Sequence, residues 1–270
     1  ASGDVWYYFD AEDEDDVIGR GYRAEGGTAQ NNWATITLKY FGERTAYIKN
    51  GTTVLRGWQT LNLGAGNKRY YFDNNGFLHT QKMGWLIIGK AWYYFDKDNS
   101  AYQGLLKMNE GGTDYLYYLN TNGQMLTGWQ NVKVNGVIGR YYFNPSTGHA
   151  LTGHQKIGNT WYYFNPVSEG DFEAGKMTVG YITDEQGEHY YYNTNGALLT
   201  GWQKLKGETD YRYFDANGDG NGNQIGIERT MTKTVQEVGK TAYHWYTMGG
   251  NRYCFVNNSS LLRNRQTIDG

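Results

Sequence analysis

Cysteine is almost missing from this 270-residue chain, and its single copy, Cys254, precludes an intrachain disulfide framework or a structural zinc site built on several thiolates. Lying between Tyr253 and Phe255, it reads as a small buried hydrophobe, and the scarcity of cysteine fits a bacterial secreted protein. An excess of either charge is missing too. The 25 Lys and Arg and 27 Asp and Glu are spread along the chain and leave a net charge of −2, with no footprint for nucleic acid or an anionic membrane. No run approaches the about 18 apolar residues of a spanning helix, so no membrane insertion is expected. The opening ASGDVWYYFD has neither the basic nor the apolar region of a signal peptide. The expectation is a soluble, monomeric module belonging to a longer chain.

Catalytic equipment is scarce as well. Glycoside hydrolysis needs two carboxylates at a set separation around the scissile bond. The acids here lie mostly after aromatic runs, in turns, or in the solvated run DAEDEDD at residues 10–16. His79, His149, His154, His189 and His244 are scattered, with no nucleophile motif beside them. The chain reads as a binding region rather than an enzyme.

What abounds is tyrosine, at 26 copies, with 38 glycines and only 2 prolines; aromatic residues make up 17% of the chain. A core built from rings that carry a polar edge differs from the usual Leu, Val and Ile core, and such rings also suit exposed sites. The rings come in repeated runs: Tyr7-Tyr8-Phe9, Tyr70-Tyr71-Phe72, Tyr93-Tyr94-Phe95, Tyr117-Tyr118-Leu119, Tyr141-Tyr142-Phe143, Tyr162-Tyr163-Phe164, Tyr190-Tyr191-Tyr192 and the degenerate Arg212-Tyr213-Phe214. Asp or Asn follows each, and from Asp73 to Asp215 the steps are 23, 24, 24, 21, 28 and 22 residues. Weaker copies stand at Ala46-Tyr47-Ile48 and Tyr253-Cys254-Phe255. A second piece recurs as RGWQ at 56–59, MGW at 83–85, TGWQ at 127–130, TGHQ at 152–155 and TGWQ at 200–203. Asn-Gly turn signals after the aromatic runs, and loops such as Val134-Asn135-Gly136 before them, favour strand, turn, strand.

Hairpins this short are marginal alone and must stack to bury apolar surface. The expected fold is therefore all-β, a β-solenoid of tandem hairpin repeats of about 20–25 residues. Divergent repeats are expected over 1–55, regular hairpins over 56–220 and divergent repeats again over 221–270. Side chains alternate faces along a strand, so the first Tyr and the final Phe or Leu of each run share the core face. The middle Tyr (Tyr8, Tyr47, Tyr71, Tyr94, Tyr118, Tyr142, Tyr163, Tyr191, Tyr213) shares the other face with a variable position that reads Arg69, Trp92, Leu116, Arg140, Trp161, His189 and Tyr211. A position that accepts Arg and His is at least partly wet. The middle Tyr forms either a ladder between hairpins or the ring wall of a groove.

These motifs, Thr200-Gly201-Trp202-Gln203-Lys204 followed by Tyr213-Phe214-Asp215-Ala216-Asn217-Gly218 above all, resemble the cell-wall-binding and glucan-binding repeat superfamily over about residues 50–220. Glucan-binding domains of glucansucrases, choline-binding modules and the receptor-binding repeats of clostridial toxins belong to it. The choline branch implies a cation–π cage of two tryptophans and a ring from the next hairpin; only Trp85 with Trp92 offers both in one unit, while Arg69 and Arg140 would repel a cation. The glucan branch implies a ring platform flanked by Gln and Lys. The carbohydrate-binding candidates are Trp58, Gln59, Tyr71, Trp85, Trp92, Tyr94, Trp129, Gln130, Tyr142, Gln155, Lys156, Trp161, Tyr163, Trp202, Gln203, Lys204 and Tyr213. Each Gly-Trp tryptophan either packs hairpins or stacks on sugar. The resemblance implies a secreted or cell-wall-associated protein of a Gram-positive bacterium. Its partner is a polysaccharide or cell-wall glycan, with polymeric α-glucan first, choline on teichoic acid as the alternative and a toxin-like glycan receptor third. No cofactor is expected, apart from one calcium-loop fragment at Asp215, Asn217 and Asp219, whose last position is Gly226 instead of an acid.

Overall fold

The protein is described by a computed structural model over residues 6–9, 21–25, 32–38, 42–50, 53–64, 66–79, 82–166, 174–218 and 225–262. The chain forms two compact units: Ala1–Val132 with Phe143–Ala150, and Lys133–Tyr142 with Leu151–Gly270. Both are all-β, and no helix occurs among the described residues.

The first unit begins with an antiparallel meander of β1 (Trp6–Phe9), β2 (Gly21–Glu25), β3 (Asn32–Leu38), β4 (Gly42–Lys49) and β5 (Thr53–Val54). Hairpins β6 (Gly57–Asn62) with β7 (Asn67–Phe72) and β8 (Gly84–Ile88) with β9 (Ala91–Phe95) follow. A three-stranded sheet of β10 (Gly104–Glu110), β11 (Thr113–Leu119) and β12 (Met125–Leu126) comes next. The division between the units falls in the hairpin of β13 (Gly128–Val134) and β14 (Val137–Phe143). The second unit holds hairpins β15 (Gly153–Ile157) with β16 (Thr160–Phe164), β17 (Gly180–Thr183) with β18 (His189–Tyr192), and β19 (Gly201–Lys204) with β20 (Tyr211–Phe214). It ends in the four-stranded sheet β21 (Thr232–Val238), β22 (Thr241–Met248), β23 (Asn251–Val256) and β24 (Ser260–Leu261).

Four hairpins, those opened by β6, β8, β13 and β19, pair a Gly-Trp strand with the aromatic run that follows it, and β10, β15 and β17 put Leu, His and Tyr in the tryptophan's place. Their turns are made by residues that accept positive φ: Asn135 and Gly136, at 48° and 86°, join β13 to β14. Register then puts the glycine opposite the final ring and the tryptophan opposite the middle Tyr, as in Gly201↔Phe214 and Trp202↔Tyr213. Gly201 has φ of +76° with open space where a Cβ would stand, so backbone conformation rather than crowding demands glycine there.

Alternation sorts most aromatic runs as the spacing requires, the exception being β16, where the first ring Tyr162 is half-buried and the middle Tyr163 buried. Phe72, Phe95, Leu119, Phe143, Phe164, Tyr192 and Phe214 are fully buried, and Tyr70, Tyr93, Tyr117, Tyr141 and Tyr190 nearly so. Each such side chain contributes about 1.5–3 kcal/mol of burial free energy. Most middle tyrosines are half-buried, but Tyr47, Tyr94 and Tyr163 are buried because rings on neighbouring strands and hairpins cover them.

The Asp or Asn after each run has a structural task. Asn193 Oδ1 accepts the amides of Asn195 at 2.9 Å and Ala197 at 3.0 Å, while its own amide donates to the Ala197 carbonyl. Asn120 and Asp73 repeat the arrangement with Gln124 and Phe77. This Asx turn reverses the chain, which then makes two backbone contacts. One returns to the middle Tyr of the same hairpin, as in Leu199 N–H to Tyr191 O at 2.8 Å. The other reaches the variable residue of the preceding hairpin, as in Leu198 to Trp161 O, Ala101 to Arg69 O and Glu228 to His189 O. Successive hairpins within a unit are thereby stitched by backbone hydrogen bonds that do not depend on the variable side chain, which leaves that position free to differ.

Candidate functional site

The Gly-Trp ring reaches from its own hairpin to the next. Trp58 lies 5.0 Å from Tyr71, its cross-strand partner, and 4.5 Å from Tyr93 on the following hairpin. Trp85 repeats this with Tyr94 at 5.3 Å and Tyr117 at 4.8 Å, and Trp202 with Tyr213 at 5.2 Å and Tyr253 at 5.2 Å. Trp33 does the same with Tyr47 and Tyr70, a junction the repeat motifs did not reveal because no Gly-Trp pair marks it. Each junction therefore combines a tryptophan, a middle Tyr and the first Tyr of the next hairpin. These pairs are tilted or edge-to-face, the geometries ring quadrupoles favour.

What differs from one junction to the next is the side chain at the variable position. Arg69 places its guanidinium 4.8 Å over the Trp58 ring, so that junction is filled by the protein's own cation. At the next junction Trp92 stands there instead, 44% exposed and 6.4 Å from Trp85 at 87°. Trp85, Trp92 and Tyr117 make an open-sided aromatic corner, with Tyr94 buried as its floor. Beside it the Tyr117 hydroxyl donates to the Glu110 carboxylate, and His149 Nε2 lies 2.7 Å from the same hydroxyl. Burial, followed by Glu110, pushes the Tyr117 pKa up.

At β15 and β16 histidine replaces tryptophan. His154 lies 4.7 Å from Tyr163 and 4.2 Å from Tyr190, with Trp161 half-buried on the same face as Tyr163. His154 Nδ1 is 2.7 Å from the hydroxyl of Tyr192, a tyrosine where most repeats carry Phe, and Nε2 is 3.5 Å from the buried carboxylate of Asp184. Burial lowers the His154 pKa against the opposing pull of Asp184, and burial raises that of Tyr190 to about 12, with Asp184 and Glu188 adding to it.

The glutamines are partly committed. Gln59, Gln130, Gln155 and Gln203 each turn the amide nitrogen back to the carbonyl three residues earlier, Arg56, Thr127, Thr152 and Thr200, at 2.7–2.9 Å. One of the two Nε2 hydrogens is thereby used, which leaves the second hydrogen and Oε1 to each glutamine. Gln203 faces Arg212 and Gln155 faces Tyr162, so each glutamine sits on the opposite face of its hairpin from the ring before it, Trp202 or His154. Lys156 is exposed, whereas Lys204 donates to the Asn258 carbonyl at 3.3 Å and lies 5.7 Å over Tyr211. Trp129 and Tyr142 are both half-buried. In the calcium fragment, Asp215 accepts from Arg229 Nε at 2.9 Å and from the Asn217 amide at 2.9 Å, which takes up the carboxylate; Asp219 and the run at residues 10–16 lie outside the described residues. Cys254 is buried and unpaired, and burial raises its pKa, as suits an inert thiol.

Sequence reasoning passed over a cleft of about 730 Å³ in the second unit, lined by Tyr181, His189, Glu208, Arg212 and Glu228 among others. Its signal was present in the degenerate run Arg212-Tyr213-Phe214: an arginine where other repeats bury tyrosine must find counterions. Arg212 binds Glu208 through Nε and Nη2 at 2.7 and 2.8 Å, and Glu228 through Nη1 at 2.9 Å.

Residues 83–98 and 152–166, the Trp85/Trp92 and His154/Trp161 hairpins, match the family of putative cell wall binding repeats. The chain is 28% identical over 254 residues to glucosyltransferase-I of Streptococcus downei, covering 82% of this chain and 15% of that protein. It is 25% identical over 289 aligned residues to glucosyltransferase-S of Streptococcus mutans serotype c, covering 83% and 18%. The chain thus spans less than a fifth of the length of either relative. Among solved structures, CbpJ from Streptococcus pneumoniae TIGR4 superimposes with a TM-score of 0.59 at 24% identity, over 98% of this chain and 97% of that one, a likeness of fold.

Proposed function

We propose that this chain, which carries cell-wall-binding repeats, is a non-catalytic carbohydrate-binding region of a larger secreted or cell-wall-associated protein. In this reading its hairpins follow one another as a β-solenoid and hold polymeric α-glucan at several shallow sites, one for each open junction. The observation that carries it is the recurrence, junction after junction, of a tryptophan paired with a middle Tyr, half-buried at Tyr71 and Tyr213 and buried at Tyr47 and Tyr94. A sugar ring has an apolar face to lay on such a ring edge and hydroxyls for a Lys Nζ on the same face or for a Gln supplied by an adjacent hairpin. Single sites of this depth are weak, but a polymer spanning several gains about 10²-fold or more through effective concentration. The similarity to glucosyltransferases over most of this chain supports glucan as the polymer.

The choline anchor is the second reading, and the Trp85–Trp92–Tyr117 corner with Glu110 nearby favours it at that one junction. At Trp58 the guanidinium of Arg69 argues against it, because an external cation would have to displace a covalently tethered one. Affinity gels of dextran, starch and immobilised choline separate the readings. Retention on dextran, weakened but not lost in Tyr142→Ala or Gln203→Ala, is the expected result; retention by choline alone overturns it.

A further inference from the structure

The cleft of the second unit differs from the aromatic junctions in chemistry. Its walls carry three acids, Glu208, Asp210 and Glu228, and three bases, Arg212, Arg229 and Lys233, so the lining is charge-balanced. Every one is engaged: Arg212 with Glu208 and Glu228, Lys233 with Asp210, and Arg229 with Asp215. A cation would meet the Arg212 guanidinium and an anion the carboxylates, each already neutralised, so neither charged class gains by entering. A neutral ligand rich in hydroxyls suffers no such penalty and finds donors and acceptors fixed in advance.

One ring completes the wall. Tyr181 stands where most repeats have tryptophan and is 38% exposed. His189 stacks on it at 5.3 Å, the Arg212 guanidinium lies 4.8 Å over it, and its hydroxyl donates to Glu228 Oε2 at 2.6 Å. The ring is thus held from three directions while the residue remains exposed. A pocket within the usual range of about 300–1,000 Å³, partly apolar with a few convergent polar groups, has the anatomy of a small-molecule site. Here that volume is about 730 Å³. We propose that this cleft is a dedicated site for a short neutral oligosaccharide, with the exposed part of Tyr181 as its apolar wall and Glu208 and Glu228, held by Arg212, accepting from sugar hydroxyls. The site deepens the carbohydrate-binding reading and rests on it. It is the junction of β17–β18 with β19–β20 deepened into a pocket for one short stretch of sugar.

Hydrogen–deuterium exchange on the whole chain tests it, with isomaltotriose, tri-N-acetylchitotriose and choline as probes. A neutral trisaccharide should slow exchange at residues 207–212 and 228–231, and choline should not. In Tyr181→Ala the concentration needed for half-maximal protection of those segments should rise about tenfold or more, while Tyr181→Phe, which keeps the ring, stays within about threefold of wild type. Urea melts of both variants establish that the hairpins remain folded. Retention on dextran with these segments unprotected, protection unchanged in Tyr181→Ala, or protection by choline overturns the cleft and leaves the glucan reading standing. Protection by tri-N-acetylchitotriose without retention on dextran or starch does the reverse. Binding of no saccharide at all removes both.

Discussion

Trp202→Ala separates packing from ligand contact at the Gly-Trp position. The Trp202 ring has four ring neighbours, Tyr213 at 5.2 Å, Tyr246 at 5.5 Å, Tyr253 at 5.2 Å and Phe255 at 5.1 Å, and three of these lie in the C-terminal sheet. Truncating a fully buried tryptophan costs about 3–5 kcal/mol, and an edge-to-face pair adds about 0.5–1.5 kcal/mol beyond its area. Trp202 is half-buried, which scales the first figure down, and four contacts sharing one ring do not add independently. The expected loss is about 2–4 kcal/mol. It should appear in urea titration of the whole chain as a lowered midpoint for the C-terminal part, since a repeat array loses stability first where a neighbour interface is removed. Trp92→Ala is the control: its ring is 44% exposed and should cost about 1 kcal/mol or less while reducing ligand retention. A Trp202→Ala cost below about 1 kcal/mol, or equal to that of Trp92→Ala, would refute the assignment of the Gly-Trp ring as the joint between hairpins.

The remaining predictions concern the variable positions and the turns. His154 has a folded pKa below its unfolded value of 6.5, so the unfolded chain takes the proton first. The stability due to the neutral ring is complete above 6.5 and falls as pH drops through 6.5 toward the folded pKa. Thermal melts from pH 7.5 to 5 should therefore flatten in His154→Trp relative to wild type, and an unchanged pH slope contradicts the burial of that ring. Arg69→Gln should uncover Trp58 and raise choline retention at that junction, with a stability cost of about 0.5–1 kcal/mol from the lost cation–π contact; a fall in retention would mean that the guanidinium does not block it. Asn193→Ala strips the acceptor from two amides and should cost about 1–2 kcal/mol in urea melts, whereas Asn193→Asp, the residue used at Asp73, should cost little.

Much of this protein is written locally. Period-two alternation is a property of the extended backbone, so Tyr70 with Phe72, or Tyr93 with Phe95, can be placed on one buried face without knowing what covers them. The Asp or Asn after each run needs only its own chain two to four residues on, which is why Asn120, Asn193 and Asp73 signal their turns so plainly. The weak copy Tyr253-Cys254-Phe255 takes its strand and its buried Phe255 from that pattern, but Cys254 at the middle position is buried and Tyr253 only half-buried.

What the sequence could not show lies between hairpins. Tyr71 and Tyr94 occupy the same repeat position, yet one is half-buried and the other buried, because the rings packed around them differ. Gln59 and Gln203 look like sugar ligands in the motif, but their amides fold back on nearby carbonyls once the strand bends at the preceding glycine. Arg69 and Arg212 both read as interruptions of an aromatic pattern. Only stacking reveals that one closes a junction by lying over Trp58, while the other draws Glu208 and Glu228 together into a cleft. The amino-acid sequence by itself determined the repeated hairpin, its alternating faces and its turns, since these follow from backbone geometry over a few residues. Which junctions are open, filled or polar was decided by tertiary structure, because that depends on side chains from two hairpins more than twenty residues apart meeting across a shared face.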